Sequence, residues 1–120
     1  MKYSFETEIV VAADQQWLVC KLPDQIKVVE EFLGVEIQER GGAAEFFMEA
    51  IDKVLSGKDE AQYVSGNVIA LDVMKDQTFV TEMLADDGIG NACYIETEEL
   101  KKLILVWLDE LEKFNQSQKD

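Results

Sequence analysis

The chain carries no histidine and a single arginine, Arg40. Without imidazole there is no Ser-His-Asp or Cys-His arrangement, no histidine metal ligand and no ordinary general base near neutral pH. A bidentate clamp on a phosphate or carboxylate would rest on Arg40 alone. Neither GxxxxGK[ST] nor GxGxxG occurs, and Gly88-Ile89-Gly90 is only a GxG fragment that no helix start follows at the right place. Cys20 and Cys93 sit inside apolar, strand-like runs with no CxxC spacing, which predicts buried, reduced thiols.

Carboxylates are what the chain has in excess. It holds 25 acids against 11 bases, a formal net charge of −14. The excess divides evenly between the two halves but not locally. From Glu82 to Glu99 there are six acids (Glu82, Asp86, Asp87, Glu96, Glu98, Glu99) and no base. Asp86-Asp87-Gly88-Ile89-Gly90-Asn91 invites a calcium reading. An EF-hand loop needs glycine at its sixth position and glutamate at its twelfth, where this chain has Asn91 and Thr97. The register fails, and no metal, cofactor or catalytic residue is assigned.

A surface of this charge repels nucleic acid and anionic membrane and attracts a basic partner; it also serves solubility alone. Carboxylates along a hairpin end, a loop and a helix start can stand in for the phosphates that a basic nuclease binds. Association would then be fast and salt-sensitive. The residues expected on that rim are Asp76, Glu82, Asp86, Asp87 and Glu96, with Tyr63 and Tyr94 as anchors if exposed. Strand-core packing is the competing role for both tyrosines, and helix capping the competing role for Glu98 and Glu99.

The elements that would position these residues follow from periodicity. Val68 to Met74 alternates Ile69, Leu71 and Val73 onto one face; Lys75-Asp76-Gln77 turns the chain, and Thr78 to Leu84 returns as a partner strand. Cys93-Tyr94-Ile95 is a further strand. Thr97 caps a helix whose stripe is Leu100, Leu103, Ile104, Trp107, Leu108, Leu111 and Phe114, with Leu105 and Val106 off it. Upstream, Lys2–Ala12 and Gln16–Leu22 form a hairpin about Ala13-Asp14-Gln15, ended by Pro23. A helix over Gln25–Leu33 is stopped by Gly34, and Val35–Arg40 is a short strand or irregular. A second helix spans Ala43–Leu55 with Phe46, Phe47, Ala50, Ile51 and Val54 on one face and Gly57 as its stop. Tyr63-Val64 begins the strand that continues after Gly66-Asn67, with Gly66 marking a bulge or tight turn.

This order predicts an α+β fold: an antiparallel sheet of about five strands, helices packed mainly on one face, and a C-terminal amphipathic helix. One domain over 1–120 with a frayed polar tail at about 115–120 is expected. No apolar run approaches the ~20 residues of a membrane span, and the N-terminus turns acidic at once, so a cytoplasmic protein is expected.

Gly66-Asn67-Val68-Ile69, Asp72, Thr78, Asp86-Asp87-Gly88, the run Cys93 to Leu100, and Trp107 give the second half of the chain a further meaning. This half resembles small immunity proteins of bacterial contact-dependent growth inhibition systems. The resemblance implies a non-catalytic cytoplasmic protein that binds and neutralises the toxic C-terminal domain of a cognate effector, often a nuclease. It carries over no toxin-contact residue. The expected partner is thus a basic toxin domain, with the chain a monomer or weak homodimer (Leu105 and Val106 supplying the contact). An acidic nucleic-acid mimic directed at a DNA-binding protein, and a small carboxylate or metal enzyme, remain as alternatives.

Overall fold

The computed structural model describes residues 1–83 and 91–119. Strands β1 (Glu6–Ala12) and β2 (Gln15–Lys21) form a two-stranded antiparallel sheet. A 3₁₀ turn at Asp24–Ile26 leads into α1 (Lys27–Glu36), followed by α2 (Ala43–Leu55). Strands β3 (Ala61–Ser65), β4 (Ile69–Met74), β5 (Gln77–Glu82) and β6 (Ala92–Glu96) make a four-stranded antiparallel meander, and α3 (Thr97–Lys119) closes the chain. The class is α+β as expected, but the strands divide into sheets of two and four rather than one of about five. The reason lies at the β6 edge. The 3₁₀ turn packs against β6, and Tyr3 donates its hydroxyl to Glu96 there, so the hairpin lies instead against α1 and α3.

One apolar core joins the helices to the inner face of the meander. Val64, Ile69, Leu71, Val73, Val80 and Ile95 point inward by alternation. They meet Phe32 and Leu33 of α1, Phe47, Ile51 and Val54 of α2, and Leu100, Leu103, Ile104 and Trp107 of α3. Phe32 and Phe47 meet edge to face at 5.0 Å. The indole of Trp107 cannot be buried with its N–H unpaired, and it donates to the Ile37 carbonyl at 2.7 Å, tying α3 to the end of α1.

Several boundaries differ from the sequence reading. Strand β1 starts at Glu6, because Lys2 and Tyr3 are drawn away to Glu96 and Glu99. Helix α1 runs through Gly34 to Glu36, since Leu33 and Ile37 bury the turn on either side and outweigh glycine's helix cost. Val35–Arg40 therefore holds no strand. Phe46 is exposed, outside the buried stripe of α2, although its ring meets Phe47. Helix α2 itself spans the expected residues, and Gly57 follows it with φ +82°, a left-handed stop that suits glycine. Strand β5 ends at Glu82, and the Thr78–Leu84 expectation passes beyond the described residues. Helix α3 continues to Lys119, past Phe114, where the apolar stripe ends.

Thr97 differs in role. Its hydroxyl donates to the Met74 carbonyl and accepts from the Thr78 hydroxyl at 2.8 Å, while its N–H reaches the Asp76 carbonyl. The start of α3 is thereby pinned to the β4–β5 hairpin. Arg40 is likewise structural, paired with Asp109 at 2.5 Å and Glu112 at 3.1 Å of α3.

Candidate protein-binding surface

Packing all three helices on one face of the meander leaves its other face open. Register sets one cross-strand row on that face, Tyr63–Asp72–Phe79–Tyr94, one residue from each strand. Tyr63 is 67% exposed and Tyr94 57%, whereas their neighbours Val64 and Ile95 are buried against the helices. Phe79 is half-buried, its ring 4.7 Å from that of Tyr94. Met74 and Ala61 lie on one side of the row, and Ser65, Ala70, Thr81 and Ala92 on the other. A sheet face of this kind would be expected to carry polar residues outward; this one carries three aromatic rings and a methionine. Among the described residues, Asp72 forms no ion pair.

The five rim acids separate. Asp76 is exposed in the β4–β5 turn, at one end of the open face. Glu96 lies at the same end, opposite Gln77, but its carboxylate is engaged by the Lys2 ammonium and the Tyr3 hydroxyl. Those two hydrogen bonds hold its pKa down at about 2. Glu82 points to the helix side, half-buried beside Glu31 of α1. Burial first, then a shared hydrogen bond with Glu82, pushes the Glu31 carboxyl up to about 7. The structure therefore brings Asp76 and Glu96 together and leaves Glu82 apart, while Asp86 and Asp87 lie outside the described residues. Of the capping acids, Glu99 accepts from the Lys2 backbone N–H at 2.7 Å and from Lys102 at 2.9 Å, and these bonds lower its pKa.

Two carboxylates receive no role of their own from the sequence. Asp72 is one; the alternation that buries Leu71 and Val73 turns it outward, but its aromatic neighbours come from other strands. Glu36 is the other. It is buried at the end of α1, where its carboxylate accepts backbone N–H groups of Asn67 at 3.0 Å, Val68 at 2.9 Å and Ile69 at 2.9 Å. Gly66 is glycine because a Cβ there would overlap that carboxylate.

A concave region lies elsewhere, between β2, the end of α1 and the last turns of α3. It is a groove of about 430 Å³ lined by Trp17, Leu18, Ile37, Trp107, Leu111 and Phe114 under a neutral rim of Gln16, Gln38, Asn115 and Gln118. None of the described residues lining it is charged. Burial raises the Cys20 thiol to about 12 and the Cys93 thiol to about 11, so neither is a thiolate nucleophile at neutral pH. Among the described residues no group of three or more His, Cys, Asp or Glu side chains could hold a metal ion, and no helix is long and apolar enough to cross a membrane.

No protein-family model and no solved structure matches the chain. A curated Bacillus cereus protein named as an immunity protein is 41% identical to it over 114 residues, covering 95% of this chain and 92% of that relative.

Proposed function

Because the chain belongs to the immunity-protein family of that relative, we propose that it binds and neutralises the toxic C-terminal domain of a cognate contact-dependent growth inhibition effector. The observation that carries this reading is the 41% identity, which extends over nearly the whole of both chains rather than over a single motif. The toxin domain is a basic nuclease. Supporting this partner chemistry is the net charge of −14, which favours a cationic surface and disfavours nucleic acid as a direct ligand. Neutralisation proceeds by binding in the cytoplasm, without turnover. It draws on carboxylates that include Asp76 and, with Lys2 as its internal partner, Glu96.

The test is calorimetry and a toxin-activity assay with the C-terminal domain of the large protein encoded beside this chain, across several salt concentrations. Tight binding with loss of toxicity is expected, with affinity falling as salt rises. Undiminished toxicity with no heat of binding would refute the immunity role. Binding that ignores salt would refute the electrostatic part of it.

A further inference from the structure

We propose that the open face of the β3–β6 meander is the toxin-contact surface, and that Asp72, set among Tyr63, Phe79 and Tyr94, is the seat for an arginine side chain of the toxin domain. This rests on the immunity reading above and adds where, and by what chemistry, the partner is held.

The row geometry carries it. Adjacent strands lie about 4.8 Å apart, so Tyr63, Asp72, Phe79 and Tyr94 spread over about 14 Å across the sheet. A carboxylate between aromatic rings offers two things at once: an acceptor pair for a planar fork of N–H donors, and ring faces on which the same plane stacks. A guanidinium satisfies both, being permanently charged, weakly hydrated and bidentate toward carboxylate; a lysine ammonium satisfies only the charge. The rings of Tyr63, Phe79 and Tyr94 and the side chain of Met74 then exclude water from the pair, as apolar surroundings do at interface hot spots.

Charge decides the occupant. A second copy meeting this face through a two-fold axis would bring two Asp72 carboxylates toward each other inside an apolar rim, on chains that each carry −14. A basic protein faces no such penalty. Asp76, exposed at the hairpin end, extends the negative potential beyond the rings, where it would speed encounter rather than hold the complex.

The experiment measures binding of the same toxin domain to the wild type and to the Asp72→Asn, Tyr63→Ala, Tyr94→Ala and Glu45→Gln variants. Glu45 lies on α2, away from this face, and its variant removes one charge just as Asp72→Asn does. Asp72→Asn is expected to weaken binding by about 30-fold or more and each tyrosine variant by about fivefold or more. Glu45→Gln should change it less than about twofold, as for a distant exposed charge. Unchanged denaturation midpoints would show that the variants fold. Hydrogen exchange on the unmodified complex needs no variant and is expected to protect the edge strands β3 and β6. Wild-type binding that every variant on this face retains, with no protection of β3 or β6, overturns the assignment while leaving the immunity role intact. A wild type that fails to bind overturns both. A wild-type dimer that Tyr94→Ala dissociates assigns the face to a second copy and overturns the proposal.

Discussion

Glu36 and Gly66 should be energetically coupled so strongly that one substitution changes sign in the presence of the other. The Glu36 carboxylate accepts three backbone N–H groups from the turn before β4, and a methyl group at Gly66 would displace it. Hydrogen bonds to a charged group contribute about 1.5–3 kcal/mol each, but Asn67 is exposed and Val68 half-buried, so water can replace part of what they lose. The full penalty falls on the buried Ile69 amide. Glu36→Ala is therefore expected to cost about 3 kcal/mol, which at a urea m-value of about 1.5 kcal/mol/M lowers the midpoint by about 2 M. Gly66→Ala in the wild type should cost nearly as much, because the new methyl expels the same carboxylate. In the Glu36→Ala background nothing remains to be expelled. The backbone at Gly66 lies outside the left-handed region, so alanine there should stabilise by about 0.5 kcal/mol through the unfolded chain. Urea unfolding of the four proteins gives the cycle. Additivity within about 0.5 kcal/mol would refute the contact as the cause of either effect.

Two further outcomes follow from groups outside the candidate surface. Glu31 titrates near 7 in the fold against an ordinary 4.5, so the folded state binds the extra proton between those values, and stability should fall as pH rises from about 4.5 to about 7. Glu31→Gln should flatten that slope and, after discounting for solvent, stabilise the protein by about 1 kcal/mol at pH 8; an unchanged slope would sink the shared-proton account. Gly34 lies inside α1 with nothing within 4 Å of where a Cβ would stand, so Gly34→Ala should raise stability by about 0.5–1 kcal/mol in thermal or urea unfolding. A loss would mean that α1 needs glycine there for a reason its geometry does not express.

Local signals were legible wherever a single element's own residues decided the outcome. Phe47, Ala50, Ile51 and Val54 repeat at helical spacing and α2 has the expected bounds; the α3 stripe from Leu100 to Leu111 is buried as its period requires. Failures occur where a distant residue intervenes. Gly34 reads as a stop because a lone glycine weakens a helix, yet Phe32, packed edge to face on Phe47 of α2, and the buried Leu33 hold the helix through it. Lys2 and Tyr3 continue the alternation of β1 but are captured by Glu96, some ninety residues on. The same capture, together with the 3₁₀ turn, occupies the β6 edge, and the split into two sheets follows from it.

Of the candidate surface, Tyr63 and Tyr94 are anticipated and are exposed, but Asp72 is passed over for a related reason, and the omission says something about acidic recognition. Counting carboxylates along the chain favours the Glu82–Glu99 stretch, but a carboxylate's value to an interface depends on what surrounds it. Glu96 is already paired with the Lys2 ammonium and accepts the Tyr3 hydroxyl, and Glu82 is turned to Glu31. Each would have to give up an internal partner, or ionise against a like charge, before meeting another protein. Asp72 has no acid within three residues on either side, so charge density passes over it. It becomes distinctive only when the register sets it in line with Tyr63, Phe79 and Tyr94, drawn from three other strands. A charge pair flanked by rings that exclude water holds a complex, whereas charges on an open rim mainly accelerate its formation. Removing Asp72 should therefore act on the dissociation rate and removing Asp76 on the association rate, a division that net charge alone does not produce.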